Sequence, residues 1–399
     1  MLIKGSLLAG LLAVLVAGFC GGFKATPYNN YVLLADAFLH GHVAIAQPSP
    51  AIDALPYRGS YYIIEAPLPA LLLMPFVAIG GLSTNQSLLG LALCGIAVGA
   101  AYRLTEKMRL TLPSRVAVAL TLFAGTDLFW CASLGDVWFL AHLASVAMTM
   151  LALCELSDKR RPWLVALWAC AAADARFTMV LALPVYFAML IWPPSFSADA
   201  GTRRDRPPLT RRLLETAPAF LGVVGVVAFF VAAWIAYNLL RWGVPVDIGY
   251  TAWFHQDPAG SPSGSPFALR YFSYEWGAFF TALPQVGSTF PYLIAPISGL
   301  ALEVTSPALL LALFARGERR MLLAMWSAAI LTAIPSFFYY VDGFAQFGMR
   351  HALDFEPFLI VLLAAALRPR LRAWQAALCG YSVLAGGWGV WYWHAILGR

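Results

Sequence analysis

Charged residues are scarce in this chain. Asp, Glu, Lys and Arg make up 12% of its 399 residues and 61% are hydrophobic, whereas soluble domains carry roughly 25% charged residues. The mean hydropathy of +0.73 exceeds what a water-soluble domain can bury. The composition therefore excludes a soluble globular protein and predicts a membrane protein.

Motifs of the common soluble enzymes are also missing. The sequence contains no GxSxG, HExxH or GxxxxGK[ST] pattern, and its six cysteines lie in apolar runs without CxxC or Cys/His spacing. No basic stripe with interleaved aromatic residues accompanies the net charge of +6, so we expect contact with anionic lipid headgroups and no nucleic-acid partner. No hydrophilic stretch has domain length. Any chemistry must therefore come from loops and helix ends.

Long apolar runs are what the chain has instead. A run of about 17 to 25 apolar residues is long enough to cross a bilayer as a helix. The sequence predicts an all-α, polytopic membrane protein that forms a single transmembrane domain over 1–399, with about eleven transmembrane helices. They are predicted near 4–23, 85–104, 115–133, 136–155, 162–178, 179–193, 217–240, 296–315, 321–341, 355–367 and 373–393.

Basic residues divide unequally between the two sides of this path. Nineteen of the 26 Lys and Arg residues fall on the side that includes Lys4, which the positive-inside rule assigns to the cytoplasm. We therefore expect a plasma (inner) membrane protein with a cytoplasmic N-terminus and an external C-terminus. The same bias predicts external loops at 24–84 and 241–295 and a basic cytoplasmic loop at 194–215. The apolar stretch 67–82 is interpreted as an interfacial or re-entrant helix of the first external loop.

Carboxylates gather on the predicted external side, where arginines are sparse. Ionisable residues at a membrane face are costly and are therefore candidates for function. The arginines in question are Arg58, Arg176, Arg270 and Arg350. A few arginines among many carboxylates, under aromatic loops, suit the task of holding a lipid phosphate and a polar acceptor together. His142 is interpreted as a buried packing residue.

Four segments resemble the GT-C fold glycosyltransferases, integral-membrane enzymes that use polyprenyl-phosphate-linked sugars. YVLLADAFLHGHV (31–43) is similar to the family's Tyr-x3-Ala-x3-Leu-x-Gly helix, and DALPYRGSYYIIEAPLPALLLMPFVAIGG (53–81) resembles its Pro-rich segment. QFGMRHALDFEPFL (346–359) resembles a late external motif of bacterial members, and ADARFTMVLALP (173–184) is similar to their fifth-span segment. The predicted topology, a cytoplasmic N-terminus, one span, a large external first loop and then many spans, also resembles that of the family.

The resemblance implies an inverting sugar transfer on the external face, with a carboxylate as general base and arginines at the departing lipid phosphate. Many members carry an Asp-Glu pair after the first span, where this chain reads TPYNNY (26–31). We therefore place the base at Asp53, with Asp36 as the second candidate. The phosphate ligand is expected to be Arg350 with Arg58 or Arg270. His351 and Asp354 are expected to position Arg350. The full set of supporting residues is Glu65, Asp136, Arg176, His351 and Asp354.

The expected partners are the bilayer, a polyprenyl-phosphate sugar donor and a glycan, lipid or protein acceptor. No cofactor is certain, and Mg²⁺ or Mn²⁺ is possible at the external carboxylates. Two other functions use the same features. One is a transporter or flippase of a lipid-linked saccharide, and the other is a polysaccharide polymerase or ligase that uses the same donors. A relative without a working base would be inactive.

Overall fold

The computed structural model describes residues 2–46, 48–196 and 209–398, and most of these residues are helical. The 3₁₀ turns include Phe177–Ala182, Pro307–Phe314 and Arg350–Asp354, and a π-helical turn covers Tyr392–Ile396. Two short antiparallel hairpins pair β1 (Leu55–Tyr57) with β2 (Ser60–Tyr62) and β3 (Gln285–Val286) with β4 (Leu293–Ile294). The α-helices are α1 (Leu2–Gly21), α2 (Asn30–Leu39), α3 (Leu68–Gly80), α4 (Gln86–Lys107), α5 (Leu112–Ala124), α6 (Leu128–Leu134), α7 (Val137–Ser157), α8 (Pro162–Ala175), α9 (Leu183–Ile191), α10 (Leu209–Trp242), α11 (Gly249–Gln256), α12 (Phe272–Thr281), α13 (Leu302–Thr305), α14 (Arg319–Phe337), α15 (Glu356–Ala366) and α16 (Ala373–Trp391).

Five of the described helices are long and apolar enough to cross a membrane, namely α1, α4, α7, α10 and α14. The helices α5 and α6 meet at 50° and add a sixth crossing if they form one span. Shorter apolar helices lie at three other predicted spans, namely at Pro162–Ala175, Phe177–Ile191 and Glu356–Ala366. The all-α, polytopic class is confirmed, and the number of crossings stays a prediction.

Two predicted spans differ from straight helices. The stretch 115–133 is broken between α5 and α6, where Thr126 and Asp127 interrupt the apolar run. The stretch 296–315 contains only α13 and an eight-residue 3₁₀ turn after Pro307, and Gly299 has a φ of +103°. At about 2.0 Å per residue, such a turn covers only half of a hydrocarbon core of about 30 Å. Proline and a left-handed glycine thus explain why this run is not one regular helix.

The predicted cytoplasmic connections meet at one end of the bundle. Arg103 on α4 donates to Asp158 after α7 at 2.9 Å, and Arg115 lies 3.6 Å from Glu106. Arg368, after α15, donates to the carbonyl of Met108 at 3.1 Å. This gathering is what an alternating membrane path predicts. Most of the predicted basic loop, 197–208, lies outside the described residues.

The first external loop is folded rather than extended. Helix α2 packs against α3, and Tyr31 and Leu34 of α2 are buried. The β1–β2 hairpin packs on the end of α10, where the ring of Trp242 lies 5.3 Å from that of Tyr57 and 5.1 Å from that of Tyr62. The prediction of helices within this loop is confirmed.

Helices α1 and α4 cross at very close range. A Cβ atom added to Gly10 would lie 2.6 Å from the carbonyl oxygen of Gly95, and one added to Gly99 would lie 2.9 Å from that of Ser6. Small residues at such positions allow helix backbones to approach in a membrane. Outside the helices, the side chain of Asn85 donates to the carbonyl of Phe23 at 3.0 Å. The two helices that flank the first external loop are therefore fixed to each other.

The orientation can be tested by cysteine labelling in a Cys20→Ser background. Ser263 and Lys159 are both exposed, and they lie in predicted external and cytoplasmic connections respectively. We expect Ser263→Cys to react with a membrane-impermeant maleimide in intact cells and Lys159→Cys to react only after permeabilisation. The reverse labelling pattern would contradict the predicted orientation.

Candidate functional site

Arg350 is a buried arginine without an ionic partner. It begins the 3₁₀ turn Arg350–Asp354 and is 8% exposed. Its guanidinium carbon lies 5.7 Å from the ring centre of Trp138 and 5.5 Å from that of Phe139. Within the described ranges it has no ion pair, and its Nε is sealed from solvent without an acceptor. Because a buried cation is costly unless it is paired, this arrangement is typical of a site that receives an anion.

The turn that contains Arg350 is held in place by the hydrogen bonds of one glutamine side chain. Gln346 is fully buried, and its Nε2 donates to the carbonyls of Ser298 at 2.9 Å and Asp342 at 2.7 Å. Its Oε1 accepts from the backbone N–H of Arg350 at 3.4 Å. The position of the arginine therefore depends on a side chain that the sequence interpretation did not single out. Glutamine in a loop has no sequence signal that separates it from a solvated residue.

Two carboxyl groups of the first external loop share the electrostatic environment of Arg350. Asp53 is half-buried, and its backbone carbonyl accepts from the amide of Asn30 at 3.1 Å. Burial raises the pKa of Asp53, the charge of Asp257 raises it further, and Arg350 lowers it.

Glu65 is the second of these carboxyl groups. It is 6% exposed, and within the described residues its Oε2 has no hydrogen-bond partner. Burial raises the pKa of Glu65 to about 8, its own backbone N–H and the charge of Arg350 lower it, and the charge of Asp53 raises it. At pH 7 most of Glu65 is therefore protonated. Asp53 and Glu65 both lie close enough to Arg350 for its charge to lower their pKa, and their roles in a reaction stay predictions.

Arg176, which is 18% exposed, pairs with the fully buried Asp354. The Nε and Nη2 of Arg176 donate to the two carboxylate oxygens of Asp354 at 3.0 and 2.8 Å. The hydroxyl of Thr178 donates to Asp354 at 2.7 Å, and the Nδ1 of His142 lies 3.3 Å from Asp354. The ring of His351 lies 5.8 Å from that of His142. A bidentate arginine with further hydrogen bonds is the geometry that a buried ion pair needs.

This pairing differs from the expectation that Asp354 positions Arg350. Both oxygens of Asp354 are occupied by Arg176, so Asp354 acts on Arg350 only through the turn that both residues share. His142 is fully buried, as expected for a packing residue, and it is also a neighbour of the ion pair.

The remaining candidates lie away from this centre. Asp36 pairs with His40 on the same helix at 3.7 Å. Arg58 occupies the exposed tip of the β1–β2 hairpin with a φ of +49°, and Arg270 donates to the hydroxyl of Tyr271 at 2.6 Å on an exposed turn. Asp136 begins α7 and accepts a hydrogen bond from Thr26. In the ranges that the structure describes, none of the four has a hydrogen bond or ion pair with Arg350.

Asp127 is a buried carboxylate that the sequence interpretation did not single out. It sits at the break between α5 and α6, is 5% exposed, and its Oδ2 has no partner among the described residues. A Cβ atom added to Gly348 would lie 2.5 Å from its Oδ1, so Asp127 lies directly against the segment that leads to Arg350. Its position inside an apolar run is the sequence signal that could have identified Asp127 as a candidate.

The described residues contain no group of three His, Cys, Asp or Glu side chains placed to hold a metal ion. The possibility of Mg²⁺ or Mn²⁺ at the external carboxylates stays a prediction.

Comparisons with known proteins gave one structural match. No family model matches the chain, and a search of curated proteins found no match. The chain is similar to the crystal structure of ArnT from Cupriavidus metallidurans bound to undecaprenyl phosphate, with 15% sequence identity and a TM-score of 0.49. The likeness covers 94% of this chain and 62% of that one, so this chain spans about three fifths of the length of the protein it matches.

The Arg176–Asp354 pair generates a stability prediction. Replacing Asp354 with alanine leaves the largely buried Arg176 without its counter-charge, so we expect the free energy of unfolding in detergent to fall by about 3 kcal/mol, the lower end for a buried pair, since Arg176 is 18% exposed. The double variant Arg176→Met, Asp354→Leu removes both charges and is expected to recover most of that loss. Lys107→Ala, which removes a partly exposed partner of Asp158, is the control and is expected to cost about 0–1 kcal/mol. A loss for Asp354→Ala as small as that of the control would contradict the prediction.

Proposed function

We propose that this protein is a membrane glycosyltransferase that moves a sugar from a polyprenyl-phosphate donor to an acceptor at its external face. The observation that carries the proposal is the partnerless, buried guanidinium of Arg350 beside the carboxyl groups of Asp53 and Glu65. The segments at 53–81 and 346–359 that resemble the GT-C family contribute these same residues.

Arg350 suits the departing phosphate. A guanidinium offers a rigid fork of N–H donors that matches phosphate oxygens, and its interaction is strengthened where water is excluded. The indole ring of Trp138 and the phenyl ring of Phe139 support one side of the charge without neutralising it. Such a preorganised cation stabilises the charge that develops as the sugar–phosphate bond breaks.

Asp53 is the best-placed general base of the three carboxylates considered. Glu65 is buried, and with a pKa of about 8 most of it carries a proton at pH 7, so it serves better as a hydrogen-bond donor. Asp36 is engaged with His40, one turn further along at the C-terminal end of α2. Asp53 is half-buried, which leaves it open to an acceptor while its raised pKa strengthens it as a base.

The proposed reaction is a single displacement with inversion. The acceptor hydroxyl attacks C1 of the donor sugar as its proton passes to the Asp53 carboxylate. The bond between C1 and the phosphate oxygen breaks, and both electrons leave with the polyprenyl phosphate, whose charge Arg350 stabilises. Glu65 donates a hydrogen bond within the same pocket and keeps its proton throughout.

Transfer of labelled sugar from polyprenyl-phosphate donors by the purified protein tests the proposal. We expect Asp53→Asn to lower kcat by about 10²–10⁴-fold, since the general base is lost. Arg350→Ala is expected to lower kcat by about 10²–10³-fold, since the leaving group loses its stabilising cation. Asp36→Asn is the matched control in the same loop and is expected to stay within about twofold of wild type.

Wild-type rates in a folded Asp53→Asn protein would overturn the assignment of the base. No transfer from a broad donor panel, together with movement of donor lipid across proteoliposome bilayers, would favour the transporter alternative. Formation of long glycan products in the same assay would favour a polymerase. Parallel assays with a chelator test the possible requirement for Mg²⁺ or Mn²⁺.

The pH dependence of kcat/KM provides a separate test. A general base acts when it is deprotonated, so we expect kcat/KM to fall as the pH drops through the raised pKa of Asp53. Asp257→Asn removes a charge that raises this pKa, and the midpoint of the profile should therefore move to lower pH. An unchanged midpoint in Asp257→Asn would show that another group controls the profile.

A further inference from the structure

A polar cavity lies near the candidate active site. It has a volume of about 700 Å³ and opens between the end of α1, the segment 24–28, the junction of α6 with α7 and the C-terminal π-helical turn. This size falls within the usual range for small-molecule sites. The described residues that give it its chemistry are Lys24, Thr26, Ser133, Asp136, Trp393 and His394.

The lining mixes hydrogen-bond donors, acceptors and aromatic rings. Asp136 supplies a carboxylate that already accepts from Thr26. The Nε2 of His394 lies 3.0 Å from the hydroxyl of Ser133, and the exposed ammonium of Lys24 adds a cation. A bare anion would meet repulsion from Asp136. A ligand with several hydroxyl groups can both donate to the carboxylate and accept from the cation, while aromatic rings contact its apolar face.

The cavity lies at the boundary with lipid. It is bordered by the end of α1, whose side chains Leu11, Leu12 and Phe19 are strongly exposed and apolar. Side chains of this kind on a membrane helix face lipid tails. A ligand can therefore place a polar headgroup in the cavity while its hydrocarbon chains stay in the bilayer.

Only aromatic side chains separate the cavity from Arg350. Tyr28 lines the cavity, and its ring centre lies 5.4 Å from that of Trp138, which lies under Arg350. A second path runs from the cavity-lining Trp393, whose ring lies 5.0 Å from that of Trp130. The ring of Trp130 lies 4.5 Å from that of Phe139, which also contacts the guanidinium.

The backbone connects the cavity to the proposed base as well. Residues 24–28 form one wall of the cavity, and two residues later Asn30 donates to the carbonyl of Asp53. The cavity is therefore linked to the phosphate site through Tyr28 and Trp138, and to the proposed base through the backbone from Tyr28 to Asn30.

We infer that this cavity binds the hydroxyl-rich headgroup of a membrane lipid, and that this lipid is the acceptor of the transferred sugar. The claim that this lipid is the sugar acceptor rests on the proposed function, whereas the claim that the cavity binds its headgroup does not. It gives Asp136 the role of a binding residue for the headgroup, outside the catalytic centre.

Cys20 is a natural reporter for the cavity. It lines the cavity and is exposed, whereas four of the other cysteines are buried and Cys154 is partly buried. The experiment measures the rate at which a charged maleimide modifies Cys20 in the full-length protein in phosphatidylcholine nanodiscs. Cys20→Ser supplies the background. The probes share one alkyl chain and are octyl glucoside below its micellar concentration, octyl phosphate and octanol.

We expect octyl glucoside to slow modification of Cys20 by about fivefold at roughly four times its Kd. Octanol and octyl phosphate should give little protection. Asp136→Asn keeps an acceptor for Thr26 and a good N-cap for α7, yet it loses the charged acceptor, so the octyl glucoside needed for equal protection should rise about tenfold.

Equal protection by octanol would show binding of the alkyl chain alone, and protection by octyl phosphate alone would show a phosphate site. Either result overturns the inference, as does a Cys20 that fails to react without any probe, because the cavity would then be closed.

Protection needs neither donor nor transfer, and Asp53→Asn should retain it in full. Protection in a protein that transfers no sugar would therefore leave the binding site standing and reject the proposed function. Transfer without protection would reject the cavity as the acceptor site.

Discussion

The cost of placing a charge inside an apolar helix bundle governs this structure. A cation there must be neutralised by a carboxylate, hydrogen-bonded to several acceptors, or left available for a ligand. Arg176 follows the first course with Asp354. Arg241 combines the first two, since it donates to the carbonyl of Ile63 and to Asn238 and lies 3.5 Å from a carboxylate oxygen of Asp247. Arg350 alone among these three lacks a partner in the described chain, and this difference singles it out more clearly than burial does.

Helix α7 is the wall that the two polar regions share. Asp136, directly before this helix, lines the polar cavity. Trp138 and Phe139 lie beside the guanidinium of Arg350, and one turn further His142 contacts Asp354. Residues 136–142 therefore contact three functional environments within about two turns of helix. A helix is well suited to this because it is rigid and presents successive faces in a fixed order.

Hydropathy and charge bias were enough to predict the all-α class, the helical runs and the meeting of the basic connections. Hydropathy and charge bias reflect the bilayer and not the details of packing. The partnership of Arg176 with Asp354 joins residues 178 positions apart, and no local pattern encodes it. For the same reason the sequence favoured Arg350 but could not exclude Arg58 or Arg270 as its companion, although only Arg350 of the three is buried. The run 296–315 misled the interpretation because hydropathy does not register what Gly299 and Pro307 do to the backbone.

The close crossing of α1 with α4 limits how substrate can enter. Both stems of the first external loop belong to these helices, and Gln86, at the start of α4, bonds to the carbonyls of Tyr28 and Gly135 at 3.0 and 2.9 Å. The stems therefore cannot swing apart as a hinge would require. For the transferase proposed above, a bulky lipid substrate would have to enter by movement within the loop, between its hairpin and helices, or sideways from the bilayer past the exposed face of α1.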